Sequence, residues 1–239
     1  MQYGEIALVY DSLMYDMPYK EWAEFIRKNL KGQTVLELGC GTGSITELLS
    51  AYYDVTALDL SEDMLDIARQ KLMNKGRTAR FIKGDMRDFS VHKPMDNAII
   101  VCDGINYLLS EADVKKAFLK VYENIKAGGR FIFDISSAYK LKNMVDQLFS
   151  EDADEVTYIW RNTMENDILS MDITFFVAED EERYYRFDEK HLQRAHSLEE
   201  ISLWLNECGF EIISITDNYT EESVKDDTIR ITFCAEKKG

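Results

Sequence analysis

Three glycines at alternate positions follow a short apolar run in Val35-Leu-Glu-Leu-Gly-Cys-Gly-Thr-Gly43. Glycine there lets the chain turn tightly and lets a ligand approach without meeting a Cβ. The spacing departs from the dinucleotide fingerprint G-x-G-x-x-G, because position 44 is serine. Glu37 stands two residues before the first glycine. A pyrophosphate gains nothing from a carboxylate at that place, whereas a cationic group on a ligand does. Asp59 follows 22 residues later, at the end of a second apolar run. A carboxylate there accepts from both hydroxyls of a ribose. Gly84-Asp85-Met86 supplies a third loop, with an acceptor for an amino group and a thioether to pack on a ring. Cys102-Asp103-Gly104-Ile105-Asn106-Tyr107 supplies a fourth. Together they describe a binding site for an adenosine-containing ligand.

Each loop follows a short apolar segment, and helical patterns separate the segments. The expected strands are Thr34–Leu38, Asp54–Leu60, Ala79–Lys83, Met95–Cys102 and Arg130–Ile135. Ala98-Ile-Ile-Val-Cys102 is nearly continuous in apolar residues, as in a strand buried on both faces. Ser44-Ile-Thr-Glu47 reads as a capping box opening a helix. Ser61 reads as the N-cap of another, and Ser110 begins a third that ends near Lys126. Residues 3–31 are helical in pattern and interrupted at Pro18. Strands alternating with helices define βαβ units on a parallel sheet, with ligands at the carboxyl ends of the strands.

The rhythm changes after Ile135. A helical stretch over 137–149 precedes an acidic break at Glu151–Glu155. Strands are then expected at Val156–Arg161, Ile168–Ala178 and Arg183–Asp188, joined by turns at 165–167 and 179–182. The middle one alternates Leu169, Met171, Ile173, Phe175 and Val177 against polar neighbours. Ser197-Leu-Glu-Glu200 opens a last helix, closed by Gly209, before strands at Phe210–Thr216 and Thr228–Glu236. The division expected is a main domain of residues 1–136 and 196–239, with a helical cap over about 1–33, and an inserted antiparallel meander of 137–195.

The chain has 239 residues, of which 44 are acidic and 28 basic, for a formal charge of −16. Binding DNA through a basic face is therefore not expected. Lys71, Lys75, Arg77 and Arg80, and Lys115, Lys116 and Lys120, read as solvated helix faces. With 46% hydrophobic and 12% aromatic residues the chain is not a disordered one. No apolar run approaches the roughly 18 residues of a membrane span, and five acids among the first 30 residues do not suit a targeting peptide. Four cysteines without C-x-x-C spacing read as reduced, mostly buried thiols of a cytoplasmic protein. Three histidines without ligand spacing give no metal site.

With Glu37-Leu-Gly-Cys-Gly-Thr-Gly43, Ala57-Leu-Asp-Leu60, Gly84-Asp85-Met86 and the strand from Asp96 to Cys102 in place, the chain resembles the class I S-adenosylmethionine-dependent methyltransferases. The Tyr10-Asp11-Ser-Leu-Met14 start and the inserted meander are similar to a bacterial small-molecule branch that includes sugar-amine N-methyltransferases. The resemblance implies an α/β fold with a doubly wound, seven-stranded, mostly parallel sheet in the order 3-2-1-4-5-7-6. It implies S-adenosyl-L-methionine as cofactor. Glu37, Gly39 and Gly41 would hold its methionine part, Cys40 would join them in the cofactor set, and Asp59 would bind its ribose. Leu60 would cover the adenine, Asp85 and Met86 would frame it, and the Cys102 carbonyl would accept from its amino group. Tyr10 and Trp22 would close the cofactor side.

Methyl transfer from a sulfonium is an in-line displacement, so alignment is the main contribution, and a base is needed only if the nucleophile arrives protonated. The loop after the fourth strand lacks the Asn/Asp-Pro-Pro-Tyr/Phe run that enzymes methylating adenine or glutamine amino groups share. It also lacks the Pro-Cys of cytosine-C5 enzymes, since Val101 precedes Cys102. A small-molecule acceptor is expected, with His191 as a candidate base and Tyr107 as a second candidate catalytic residue. Tyr15, Tyr139, Arg186 and Arg194 are further candidates for the acceptor pocket. The protein is expected to act as a monomer or homodimer. An RNA or protein methyltransferase, a nicotinamide-dependent oxidoreductase and a non-catalytic binding module are the competing readings.

Overall fold

The structure is a computed structural model that describes residues 5–152, 156–180 and 183–239. A short 3-10 turn, Glu5–Leu8, leads into α1 (Tyr10–Leu13) and then α2 (Tyr19–Asn29). Strands β1 (Thr34–Leu38), β2 (Asp54–Asp59), β3 (Arg80–Lys83) and β4 (Met95–Ile100) alternate with α3 (Ser44–Leu49) and α4 (Glu62–Asn74). Helix α5 (Glu111–Asn124) runs straight into β5 (Ile125–Ser136). Then come α6 (Ala138–Asn143) and four strands, β6 (Leu148–Asp152), β7 (Val156–Glu165), β8 (Ile168–Ala178) and β9 (Tyr184–Arg194). The chain closes with α7 (Leu198–Glu207), β10 (Phe210–Asp217) and β11 (Arg230–Lys237).

Two sheets result. The larger has the order β10-β11-β5-β4-β1-β2-β3, and only β11 runs against its neighbours. Counting its strands along the chain, this is the order 3-2-1-4-5-7-6. Alternate residues face opposite helical layers. Leu36, Leu38, Ala98 and Ile100 pack with Val114, Phe118 and Val121 of α5 and Ile201, Trp204 and Leu205 of α7. Val35, Ile99 and Val101 pack with Trp22, Phe25 and Ile26 of α2 and Ile45 and Leu49 of α3. The strands are apolar along their length because both faces are covered. The smaller sheet is an antiparallel β6-β7-β8-β9 ribbon. Phe175 and Phe187 on its inner face pack against Ile6, Val9 and Met64, which fastens it to the N-terminal segment and α4.

The caps form largely where the serines stand. Ser61 accepts from the Met64 N–H at 3.3 Å, and Ser110 from the Asp113 N–H at 3.1 Å. Ser197 and Glu200 bond reciprocally as a capping box. Ser44 is different. The N-cap of α3 is Gly43, left-handed at φ 76°, and Ser44 is already helical. The tight turn that brings the Gly43 N–H to the Cys40 carbonyl at 2.9 Å moves the helix start one residue earlier. Other boundaries differ from expectation as well, the fourth strand ending at Ile100 and the first meander strand running on to Glu165 among them. Helix α5 stops at Asn124, so Lys126 lies in β5. The expected helix over 137–149 ends at Asn143, because Leu148–Asp152 pairs with β7 and Phe149 packs on Trp160 at 5.4 Å. The last meander strand continues to Arg194 in register with β8. Residues 3–4, 153–155 and 181–182 of the expected helix, acidic break and turn lie outside the described residues.

Candidate active site

The loop after β1 is tied to the end of β2. The Gly39 and Cys40 N–H groups both donate to the Leu58 carbonyl, at 2.7 and 3.0 Å. The Gly41 N–H donates to Asp59 Oδ2 at 2.7 Å, and the Ser61 N–H to Oδ1 at 2.9 Å. A carboxylate offers about four acceptor positions, so Asp59 keeps two for a ligand. The glycines do different work. A Cβ on Gly43 would lie 2.8 Å from the Ala68 Cβ, so glycine there permits α3 and α4 to pack. A Cβ on Gly41 would meet nothing within 4 Å, and Gly41 lines the cavity. Glycine there leaves space for a bound group.

Glu37 is fully buried under this loop. Thr46 Oγ1 donates to its Oε2 at 2.6 Å, while Oε1 has no protein partner. Burial pushes its carboxyl up to about 8, against the opposing pull of the Thr46 bond. Glu37 and Cys40 do not themselves line the cavity; the Cys40 side chain packs in the cluster around Trp22 and Ile45.

The cavity has a volume of about 970 Å³. Gly39, Gly41, Asp59, Leu60, Asp85, Met86 and Cys102 of the expected cofactor set line it. Leu60 is 59% exposed, which leaves its side chain for a ligand to cover. The Met86 methyl sits 3.4 Å from where a Gly39 Cβ would stand. Asp85 is gripped by Arg87, with Nη2 at 2.6 Å, and this bond holds its carboxyl below the usual range. Cys102 and Asp103 are both left-handed, at φ 57° and 53°. Strained backbone of this kind persists only where its surroundings impose it, often beside functional sites. Burial pushes the Cys102 thiol up, so it stays protonated.

Tyr10 lines the cavity from the N-terminal side, and burial pushes its hydroxyl well up. Its neighbour Asp11 accepts from Thr42 Oγ1 at 2.6 Å and pairs with Lys71 at 2.8 Å. Lys71 also donates to Ser44 Oγ at 3.0 Å. The glycine loop, α4 and α1 are thereby joined at the cavity's edge. Trp22 was expected to share Tyr10's role, but it does not line the cavity. It belongs to the buried stripe of α2, stacks on Tyr219 at 5.1 Å and carries the Arg230 guanidinium 4.8 Å from its ring. Because that stripe faces the sheet, Trp22 reaches the site only through Arg230.

Arg230 anchors a buried charged network that the sequence reading missed. It pairs with Asp103 at 2.9 Å and with the fully buried Asp134. Asp134 Oδ1 accepts from the Asp103 N–H at 2.8 Å, and Gln193 on β9 donates to Asp103 Oδ2 at 2.7 Å. Arg230 and Lys140 hold the Asp103 carboxyl low against its burial. The available signal was a lone charge inside each of two apolar strands, Phe131-Ile-Phe-Asp-Ile135 and Ile229-Arg-Ile-Thr-Phe233. Such residues are buried only when paired.

On the far side of the cavity stand Tyr107 and the inner face of the smaller sheet. His191 is buried there, edge-on to Tyr107 with ring centroids 6.1 Å apart. Burial holds its pKa below the ordinary imidazole value, so the ring is neutral at pH 7. The other expected acceptor residues are elsewhere. Tyr15 is 75% exposed, Tyr139 is exposed, Arg186 pairs with Asp188, and Arg194 with Glu200. None of the four lines the cavity. Arg186 and Arg194 alternate out of the inner face that His191 occupies.

The residues present fit S-adenosylmethionine. Asp59 has acceptors for a ribose diol, the space at Gly41 accommodates a close approach, and the orphaned Glu37 oxygen leaves an unmet polar group under the loop, whose carboxyl a bound cation would help to ionise. Leu60 and Met86 offer apolar surface for a ring. When bound, this cofactor supplies a methyl group on a sulfonium. Fold and site together define a class I methyltransferase architecture. Residues 35–129 match a family model described as a methyltransferase domain. A Bacillus subtilis (strain 168) protein named as a methyltransferase is 36% identical over 99% of this chain and 98% of its own length. The crystal structure of a S-adenosylmethionine-dependent methyltransferase from Clostridium acetobutylicum ATCC 824 is 38% identical and superposes with a TM-score of 0.91 over 99% of each chain. The dTDP-3-amino-3,4,6-trideoxy-alpha-D-glucopyranose N,N-dimethyltransferase of Streptomyces venezuelae is 24% identical over 71% of this chain and 72% of its own. The chain belongs to the S-adenosylmethionine-dependent methyltransferases. It is an enzyme of that family, with S-adenosylmethionine as its cofactor. No helix among the described residues is long and apolar enough to cross a membrane.

Proposed function

We propose that this enzyme methylates a small-molecule acceptor by in-line displacement, with residues 137–195 serving as its acceptor-side subdomain. The observation that carries the reading is the continuity of the cavity. One space of about 970 Å³ runs from Gly41, Asp59 and Met86 to Tyr107, Phe175 and His191. That lies at the upper end of the roughly 300–1,000 Å³ of small-molecule sites, large enough for a nucleoside-sized ligand and a second small one. The N-terminal segment and the smaller sheet cover it from two sides, where a folded macromolecule would need an open groove. The amino-sugar relative is consistent with an acceptor of this size.

In this reading the cofactor side is held by Gly39, Gly41, Asp59, Leu60, Met86, the Cys102 backbone and Tyr10, with Glu37 beneath. The acceptor side aligns the nucleophile, and alignment can supply roughly 7–11 kcal/mol. His191, neutral at pH 7, accepts the proton of a nucleophile that arrives protonated, and Tyr107 fixes the nucleophile beside it. The test is transfer of label from methyl-tritiated S-adenosylmethionine into size-separated fractions of a Bacillus subtilis lysate. Label is expected in the low-mass fraction, falling about 10²–10⁴-fold with His191→Gln if it is the base. Label confined to protein or RNA would overturn the small-molecule reading.

A further inference from the structure

We infer that Gln193 is a positioning residue for methyl transfer. Through Asp103 it sets the smaller sheet, which carries the acceptor, at the distance from the cofactor loops where nucleophile and methyl group meet. The inference rests on the reading of residues 137–195 as the acceptor-side subdomain.

The cofactor loops belong to the larger sheet and the apolar wall of the cavity to the smaller one. The placement of one sheet against the other therefore decides alignment, and a misplacement of about 1 Å can cost roughly 10²-fold in rate. One tie between the sheets is the packing of Phe175 and Phe187 against Ile6, Val9 and Met64. Apolar contact of this kind is non-directional and fixes no distance by itself. A second tie is polar. It joins the end of β9 to the loop after β4 by three hydrogen bonds. Gln193 Nε2 donates to Asp103 Oδ2 at 2.7 Å, Asn106 Nδ2 to the Arg194 carbonyl at 2.9 Å, and His196 Nε2 to the Leu108 carbonyl at 2.9 Å. Gln193 and Asp103 line the cavity, whereas Asn106 and His196 do not. The Gln193 bond is thus the one made at the cavity wall.

Asp103 takes its other bonds from the larger sheet. Its N–H donates to Asp134 Oδ1 on β5 at 2.8 Å, and its Oδ1 faces Arg230 on β11 at 2.9 Å. One residue therefore gathers β5, β11 and β9. It does so in a left-handed conformation at φ 53°, directly after Cys102 at φ 57°. Such a conformation persists only where its surroundings impose it. Here the imposing bonds come from both sheets, so the shape of the loop and the position of β9 are set together. Gln193 itself is 4% exposed. A buried amide is costly to leave unbonded, which holds its donor on Asp103. Without that donor, β9 keeps its apolar packing and loses its fixed distance at the wall.

The test compares wild type with Gln193→Met, which keeps the length and loses the donor, and with Gln193→Lys, which returns a donor to Asp103. Label transferred from methyl-tritiated S-adenosylmethionine into all products of a Bacillus subtilis lysate is measured as the cofactor is varied. Turnover is expressed per calorimetric S-adenosylhomocysteine site, so loss of folded protein does not enter. Gln193→Met is expected to lower turnover about 10–100-fold, with KM for S-adenosylmethionine and affinity for S-adenosylhomocysteine within about threefold of wild type. Gln193→Lys is expected to recover most of that loss. Hydrogen exchange of the S-adenosylhomocysteine-saturated enzymes needs no acceptor. Residues 184–194 are expected to exchange faster in Gln193→Met than in wild type, and residues 34–43 at the same rate. Unchanged turnover per site, cofactor affinity falling in step with turnover, no recovery in Gln193→Lys, or unchanged exchange over 184–194 would overturn the inference. Label is summed over all products, so label found only in protein or RNA refutes the small-molecule reading and leaves this comparison intact.

Discussion

Asp59→Ala is the perturbation that most directly interrogates the cofactor site. In the structure the carboxylate accepts two backbone N–H groups, from Gly41 and Ser61, and has two acceptor positions left. A ribose diol fills these with two hydrogen bonds to a charged acceptor, each worth about 1.5–3 kcal/mol. Removing both costs roughly 3–6 kcal/mol, or about 10²–10⁴ in dissociation constant. The variant also frees the glycine loop, so the assay must separate the two effects. Calorimetric titration with S-adenosylhomocysteine measures the whole loss. Repeating it with a 2′,3′-O-protected analogue on both proteins completes a double-mutant cycle. The diol is expected to contribute strongly in wild type and little in Asp59→Ala. A variant that binds S-adenosylhomocysteine within fivefold of wild type would refute the assignment of Asp59 to the ribose. So would a diol that contributes equally in both proteins.

Four other outcomes follow from the same geometry. Gly43→Ala places a methyl 2.8 Å from the Ala68 Cβ at a left-handed φ of 76°, and is expected to cost about 2–4 kcal/mol in denaturant unfolding. Gly41→Ala puts its methyl in open space but at a left-handed φ of 53°, so it is expected to cost about 1–2 kcal/mol in stability and a further loss in cofactor affinity, read by titration on the folded variant. Arg230→Met takes the cation from the fully buried Asp134 and leaves Asp103 with Gln193 and Lys140 alone; about 3–5 kcal/mol is lost, which lowers Tm by roughly 6–20 °C for a chain of this size. A melting shift under 3 °C would contradict that network's role. Glu37, raised from 4.5 to about 8 in the folded protein, keeps its proton after the unfolded chain has lost it. Its contribution is therefore fully present below pH 4.5 and is lost as pH rises through 8, and Glu37→Gln is expected to remove about 3–5 kcal/mol of that slope. Urea midpoints of the ligand-free protein between pH 5 and 8 will check it.

The sequence by itself determined the strands of the main sheet and the glycine and acidic loops at their ends, while its order came with the family resemblance. Those features are local. Buried parallel strands write continuous apolar runs, and Gly39, Gly41 and Asp59 sit at strand ends because the backbone turns there. Helix caps at Ser61, Ser110 and Ser197 were legible for the same reason, since a cap is a contact over three residues. Only the tertiary structure decided what joins distant segments. The Arg230–Asp103–Asp134–Gln193 network draws on four separate elements, and each member alone reads as a stray polar residue. Trp22 and Tyr10 looked equivalent in sequence, yet one packs toward the sheet and the other lines the cavity. The apolar wall of the cavity was equally hidden. Period-2 alternation shows that Met171, Ile173 and Phe175 share a face, but not that register sets Glu189 and His191 beside them. That pairing is fixed by hydrogen bonds between strands, and no spacing within one strand encodes it.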